Sequence, residues 1–313
     1  MTLQRQAPEA PPRIGFIGLG NMGGGMAANL AKAGWEVLAF DIAEPALDRA
    51  RDAGCRPVAS VADAVRTADV VITMLPAGQQ VRRVYAEEIL PAAAAGALLI
   101  DCSTIDVDSA RAVAAQVDGA GFRFADAPVS GGTAAAVAGA LAFMVGCAPG
   151  DYAAVRQALE PMARVVIHAG SHGAGQAAKI CNNMVLGISM LGVCEAFALA
   201  EKLGLEPERF FEIASQSSGQ CWSLTSYCPW PGSVPGAPSN RGYEGGFATA
   251  MMLKDLKLAQ GAAAQVGAAT PMGAAAEGLY ALFDRLGAGG KDFSAILQLL
   301  RGRLDLLSLE IGQ

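Results

Sequence analysis

The feature that most restricts this chain is an apolar run, RIGFIG (13–18), that passes without a break into the glycine hexad GLGNMG (18–23) and then into a helical segment through Met26–Ala33. A strand, a tight turn and a helix in that order open a βαβ unit, and the three glycines fall where such a turn needs them. Gly18 permits the sharp reversal, Gly20 leaves room for a pyrophosphate, and Gly23 lets the helix lie close on the strand. The helix N-terminus offers backbone N–H groups to phosphate. Gly18, Gly20, Asn21, Met22 and Gly23 therefore form a candidate dinucleotide-binding turn. Asp41 closes the next apolar run, EVLAFD (36–41), where a carboxylate accepts hydrogen bonds from a ribose hydroxyl and repels a 2′-phosphate. The following Ile42, Ala43 and Glu44 supply no arginine to hold that phosphate. The expected cofactor is NAD rather than NADP. The alternative, a glycine-rich turn in a domain that binds nothing, is disfavoured by this context.

The alternation continues. VVITML (70–75) and ALLIDCS (97–103) are apolar throughout and bounded by Gly, Pro or Asp, as parallel strands covered on both faces are. FRFADAPVS (122–130), LAFMVG (141–146) and VVIHAG (165–170) are expected to extend the same sheet. A helix over about 151–162 is predicted to open on Asp151 as its N-cap. After Gly173 the character changes. Residues 175–203 lack proline and are apolar on most sides, which predicts a helix roughly 40 Å long at 1.5 Å per residue, buried between domains or subunits. Further helices are predicted near 208–217, 249–266, 272–286 and 293–307, with no further strand. The intervening Pro-, Gly- and aromatic-rich loop, 218–247, is too long for an ordinary connection, and its aromatics argue for order. The expected fold class is an α/β N-terminal Rossmann-type dinucleotide-binding domain plus an all-α C-terminal domain joined by a long helix. Its expected parts are a flexible leader over 1–12, the dinucleotide-binding domain over 13–173, and a helical substrate and dimerisation domain over 174–313.

Composition excludes other classes. A length of 313 residues with 52% hydrophobic content supplies two cores, and only 6% aromatic content leaves small residues to pack them. The formal net charge is −6 with no long Lys/Arg run, so nucleic acid is not an expected partner. The seven cysteines are odd in number and scattered without a CxxC pair, which reads as reduced thiols in a cytosol-like compartment. With only His168 and His172, no multi-histidine metal site is expected. The first residues, MTLQRQAPEAPPR, lack an apolar signal core and the Ser- and Arg-rich character of a mitochondrial presequence, so a cytoplasmic location is expected. No stretch of 18 or more uninterrupted apolar residues occurs, and no membrane span is expected.

A second cluster, GSHGAGQAAKICNN (170–183), delivers the chain into the long helix, where Lys179 and Asn183 stand four apart and share a face. Burying a lysine cation in an apolar helix is costly, so desolvation would lower its pKa toward neutrality, as a proton-transfer group near pH 7 requires. Taken alone, Lys179 better suits a lysine that snorkels to a solvent face, because structural lysines outnumber catalytic ones.

GFIGLGNMG, DAPVSGGTAAAVAGALAFMVG, GAGQAAKICNNMVLGISMLGVCEAFALAEKLGL, SSGQCWS, YEGGFATAMMLKDLKLAQ and DFSAILQLLRG occur in an order that resembles the β-hydroxyacid dehydrogenase family, and within it the 3-hydroxyisobutyrate dehydrogenase branch. The resemblance runs from Arg13 to about Gly302. It implies an oxidoreductase in which Lys179 is the general acid/base and Ser130, Gly131 and Gly132 hold the substrate carboxylate. It further implies that Asn183 hydrogen-bonds substrate and that Lys254 reaches the nicotinamide side of the cofactor, with Asp255 orienting that lysine. Leu75, Pro76 and Thr104 match cofactor-contacting positions. A Ser hydroxyl and glycine N–H groups suit an anion nest, and ligands of open α/β sheets bind at the carboxyl ends of strands.

The implied reaction is oxidation of 3-hydroxyisobutyrate to methylmalonate semialdehyde, a step of valine catabolism. Three residues depart from the family's loop pattern: Gln220 where Arg is common, Cys228 where Asn is common, and Trp230 where a smaller apolar residue is common. Near an active-site rim these would bear on the substrate. Sibling activities on tartronate or succinic semialdehyde, and an NADPH-dependent imine reductase, are alternatives, the last disfavoured by the presence of Lys179. A catalytically silent NAD-binding module is the alternative of another class. A homodimer or homotetramer is expected.

Overall fold

The computed structural model describes residues 12–307 and 309. Of the expected leader, residues 1–11 lie outside the described residues. The chain divides into two compact units, Met1–Lys179 and Ile180–Gln313.

The first unit begins β1 (Ile14–Ile17), α1 (Gly23–Lys32), β2 (Val37–Phe40), α2 (Glu44–Asp52), β3 (Arg56–Pro57), α3 (Val61–Val65), β4 (Val70–Thr73), α4 (Gly78–Val84) and β5 (Leu98–Asp101). It continues α5 (Val107–Gly119), β6 (Arg123–Asp126), β7 (Val129–Ser130), α6 (Gly132–Ala138), β8 (Leu141–Cys147), α7 (Tyr152–Leu159) and β9 (Ala163–Gly170). One sheet runs β3-β2-β1-β4-β5-β6-β8-β7, with β9 on β8. The run from β3 to β6 is parallel. Strands β1, β4 and β5 are buried at every position, because helices cover both faces. Ile14, Phe16, Met26 and Ile100 pack one side, and Ile17, Val71, Tyr85 and Phe124 the other. The direction of winding reverses between β1 and β4, the switch point at which open α/β sheets take ligands.

Three local expectations are corrected. FRFADAPVS is two short strands rather than one, separated at Ala127–Pro128, where the proline has no N–H to give a ladder. β8 runs antiparallel to both β6 and β7, since the connection from β7 through the seven-residue α6 is shorter than a parallel crossover needs. Asp151 occupies the position before α7, but it is itself helical in φ/ψ and makes no side-chain cap. Its carboxylate lies 3.9 Å from Arg123 Nη1 instead. Ser60 and Asp106 do cap, accepting the Asp63 and Ser109 N–H groups at the starts of α3 and α5. β3 was not foreseen, because two residues carry no periodic signal.

Helix α8 (Ala174–Lys202) spans 29 residues, begins in the first unit and supplies its body to the second. It is long and apolar enough to cross a membrane by length and composition, with a mean hydropathy of 1.7 over its most apolar window. Lys179, Asn182 and Asn183 interrupt it, and 44% of that window is buried inside the protein, as in a core helix.

The second unit adds α9 (Pro207–Ser215), α10 (Trp222–Thr225), α11 (Thr249–Val266), α12 (Pro271–Phe283) and α13 (Ile296–Leu300). Its core gathers Met190, Phe197, Met252, Leu256, Tyr280, Phe283 and Phe293. The helix expected over 293–307 stops at Leu300 because Gly302 takes φ +68 and turns the chain away. The long loop is ordered by its aromatics. Tyr227 stacks on Trp222 and Phe293, and the Tyr243 hydroxyl donates to the Pro229 carbonyl at 2.9 Å.

Candidate active site

Each glycine of the 18–23 turn has a separate physical reason. Gly18 adopts φ +94, and a Cβ there would stand 2.3 Å from the Met74 carbonyl oxygen. A Cβ on Gly23 would stand 1.9 Å from the Gly18 carbonyl oxygen, so nothing larger than hydrogen fits. Gly20 is different: a Cβ would meet nothing within 4 Å, which leaves open space against its backbone. Helix α1 then starts Gly-Gly-Gly with no acidic residue in its first turn and no side-chain cap from Met22, so a ligand anion is the natural partner of its first N–H groups. Asp41 joins this loop to the end of β2, its Oδ2 accepting Leu19 N–H at 2.6 Å and its Oδ1 accepting Ala43 N–H at 2.8 Å. Each oxygen keeps a second lone pair for a ribose hydroxyl. The residues present fit a dinucleotide.

The next two strand ends are held by a buried carboxylate that sequence reasoning passed over. Asp101 Oδ1 accepts the Thr73 hydroxyl at 2.7 Å and the Ser103 hydroxyl at 2.6 Å, and the Ser103 Oγ in turn accepts Leu75 N–H at 2.8 Å. The segments Leu75–Pro76 and Ser103–Thr104 are thereby fixed side by side, next to Gly18. Burial pushes the Asp101 carboxyl up to about 6, with Asp126 adding to the effect while hydrogen bonds from Ser103 and Thr73 oppose it. A carboxyl raised above its unfolded value of 3.8 contributes most to stability below that value and loses the contribution as pH rises through about 6. Asp101→Asn removes this titration. The stability of the variant relative to wild type should therefore increase by up to about 3 kcal/mol between pH 4 and pH 7, from roughly 1.4 kcal/mol per pKa unit. Urea unfolding of both proteins across that range checks it, and a difference that stays flat with pH contradicts it.

Ser130 ends β7, and Gly131 and Gly132, at φ +137 and +72, turn the chain into α6. A Cβ on Gly132 would meet nothing within 4 Å, so this turn too faces open space. Helix α6 lies directly on α1. A Cβ on Gly25 would stand 3.0 Å from the Ala136 carbonyl carbon, and Asn29 Nδ2 donates to the Ala136 carbonyl at 2.7 Å. The 130–132 turn is thus coupled to the dinucleotide turn through Asn29, which no sequence motif singled out.

Lys179 sits in the second turn of α8 and is 7% exposed, so it is not a solvent-face lysine. Asn183, one turn on, is 2% exposed. Asn183 belongs to the second unit, where its Nδ2 donates to Asp255 Oδ2 at 2.5 Å and its Oδ1 accepts Asn182 Nδ2 at 2.9 Å. The Asp255 contact to Asn183 was not foreseen, although both residues stand in quoted motifs. Lys254, half-buried, precedes Asp255 on α11.

The three departures in the 218–247 loop fall in different places. Gln220 is exposed and donates to Thr225 Oγ1. Cys228 is fully buried in the core of the helical unit. Trp230 stacks on Phe197 at 5.6 Å, with the Arg301 guanidinium 4.3 Å over its ring. Cys228 and Trp230 therefore belong to the packing of that unit.

Comparison with known proteins completes the description. Residues 13–170 match the family described as the NAD binding domain of 6-phosphogluconate dehydrogenase, and residues 173–300 match the family described as NAD-binding of NADP-dependent 3-hydroxyisobutyrate dehydrogenase. A Pseudomonas aeruginosa protein named 3-hydroxyisobutyrate dehydrogenase is 49% identical over 93% of this chain and 99% of its own length. A second protein of that organism, named NAD-dependent L-serine dehydrogenase, is 47% identical over 92% and 97%. The solved structure of Mycobacterium tuberculosis 3-hydroxyisobutyrate dehydrogenase with L-serine superposes with a TM-score of 0.90 at 47% identity, covering 93% of this chain and 100% of that one.

Proposed function

This chain belongs to the 3-hydroxyisobutyrate dehydrogenase family of β-hydroxyacid dehydrogenases, and we propose that it oxidises 3-hydroxyisobutyrate to methylmalonate semialdehyde in valine catabolism, with NAD as cofactor and Lys179 as general acid/base. The chain is an NAD(P)-dependent oxidoreductase acting on the CH–OH group of a small hydroxy acid. The observation that carries the proposal is a lysine buried on α8, one turn before a buried asparagine.

The bound nicotinamide supplies the hydride acceptor. Ser130, Gly131 and Gly132 receive the substrate carboxylate, using a hydroxyl and backbone N–H groups in an open turn. Neutral Lys179 takes the proton of the 3-hydroxyl as the carbon-bound hydrogen departs, and in reverse its ammonium form returns that proton to the forming alkoxide. Asn183, its amide oriented by Asp255, hydrogen-bonds the same substrate. Gly18, Gly20, Asn21, Met22 and Gly23 hold the pyrophosphate, Asp41 the ribose, and Leu75, Pro76, Thr104 and Lys254 the remainder of the dinucleotide. A panel of 3-hydroxy acids followed by NADH absorbance tests the assignment. The highest kcat/KM is expected for 3-hydroxyisobutyrate, and no turnover of any 3-hydroxy acid would refute it.

A second substrate, L-serine, is favoured by the relative named for it and by the solved neighbour described with L-serine. L-serine is itself a 3-hydroxy acid with the same carboxylate and hydroxyl spacing, so the same panel separates the two.

Cofactor choice rests on Asp41. Asp41→Ser removes the charge that repels a 2′-phosphate, and it should raise kcat/KM for NADP by about tenfold or more, since one unfavourable charge contact is on the order of 1.4 kcal/mol. Unchanged NADP kinetics would show that another group sets the preference. A homodimer or homotetramer in a reducing, cytoplasmic compartment completes the reading. It is supported by the exposed apolar Val185, Leu199 and Leu203 and by seven unpaired cysteines, and sedimentation of the purified protein tests the assembly.

A further inference from the structure

Helix α8 starts without a capping side chain of its own, because the residue before it is Gly173. The cap comes from another strand. Asp126, the last residue of β6 and fully buried, accepts Gly173 N–H on Oδ1 at 2.7 Å and Gln176 N–H on Oδ2 at 2.9 Å. Two glycines clear the space around it. A Cβ on Gly146 would lie 2.4 Å from Asp126 Oδ1, and one on Gly175 would lie 2.8 Å from Asp126 Oδ2 and 2.3 Å from the Met144 carbonyl oxygen. Gln176 holds the same turn from a second side, its Nε2 donating to the Ser103 carbonyl at 2.7 Å and its Oε1 accepting Ile105 N–H at 3.1 Å. Gln176 is also fully buried and stands three residues before Lys179, on the same face of the helix. All these groups lie in the first unit.

We propose that Asp126 is a positioning residue for Lys179: its carboxylate caps the lysine helix from the end of β6 and, together with Gln176, fixes the first turn of that helix against the strand ends that carry Leu75 and Thr104. A carboxylate accepting two helix N–H groups is a stronger tie than a neutral cap. A helix carries a displacement of its first turn into its second, so a loosened cap moves the amine, and an error near 1 Å in a reacting group costs up to about 10²-fold in rate. The inference rests on the acid/base role proposed for Lys179.

The test uses full-length Asp126→Asn, Asp126→Ala and Gln176→Leu beside Lys179→Ala, with kcat, KM, dinucleotide affinity and amide exchange over 173–180 measured for each. Asp126→Asn should lower kcat by about 10–100-fold, leave KM for the hydroxy acid and the affinity for NAD within about threefold, and speed exchange in that segment. Asp126→Ala, which keeps no acceptor, should lose more than Asn. Gln176→Leu should show the same loss of kcat together with weaker NAD binding, because it also frees the Ser103–Ile105 segment. Wild-type kcat in folded Asp126→Asn beside an inactive Lys179→Ala would overturn the positioning role alone. Full turnover in Lys179→Ala would overturn the acid/base reading, and this proposal with it.

Discussion

Lys179→Ala is expected to retain the fold and the affinity for NAD and to lose kcat by ~10²–10⁴-fold, the range that a positioned general acid/base contributes. The separation of effects follows from where the parts lie. The dinucleotide turn, Asp41 and the ends of β4 and β5 are bound to one another through Gly18, Met74, Leu75 and Ser103, and none of those ties passes through the lysine side chain. Lys179→Arg is the sharper variant. Arginine preserves the charge and the reach but does not deprotonate in proteins, so it cannot accept the hydroxyl proton and should be as inactive as alanine. If arginine restored more than a tenth of wild-type turnover, the side chain would be acting as a fixed cation and not as a base. Initial rates with 3-hydroxyisobutyrate and NAD, together with NAD titration by fluorescence, distinguish these results.

What was legible in the sequence was whatever repeats along the chain. Seven unbroken apolar runs marked every strand but β3, one run standing for both β6 and β7, and the 29-residue α8 was foreseen almost to its ends because nothing in it breaks a helix. The glycine turn was legible because Gly18 and Gly23 are dictated by local backbone geometry. The polar residues that tie these pieces together were not, because their partners are distant in sequence. Asp126 meets Gly173 and Gln176 some fifty residues later, Asn183 meets Asp255, and Asp292 collects the Tyr227 hydroxyl, Phe247 N–H and Ser294 in one buried knot. One signal was available: Thr73, Asp101 and Asp126 are polar residues that close strands on an apolar neighbour, and all three are fully buried. A polar group placed there must be hydrogen-bonded, and at the carboxyl ends of a parallel sheet it supports a ligand loop. Reversal of β8 was hidden for a different reason, since strand direction depends on connection length and not on composition.

The glycine turn also supplies the second large effect, because two glycines three residues apart should fail in opposite ways. Gly23→Ala places a methyl 1.9 Å from the Gly18 carbonyl oxygen, which is backbone at the end of β1 and cannot rotate away. The helix must lift off the strand, and the cost should reach or exceed the upper end of the 1–3 kcal/mol typical of overpacked sites. Gly20→Val meets no protein atom within 4 Å of its Cβ, so the melting temperature should stay near that of wild type. Its side chain instead fills the space through which a pyrophosphate would approach the backbone. Losing one or two charge-assisted N–H contacts, at about 1.5–3 kcal/mol each, weakens NAD by roughly 10- to 10⁴-fold. Thermal unfolding and NAD titration of the two variants should therefore separate cleanly, Gly23→Ala losing stability and Gly20→Val losing only its ligand. Gly20→Val with wild-type NAD affinity would mean that the dinucleotide does not cross this turn, and the open space above Gly20 would need another explanation.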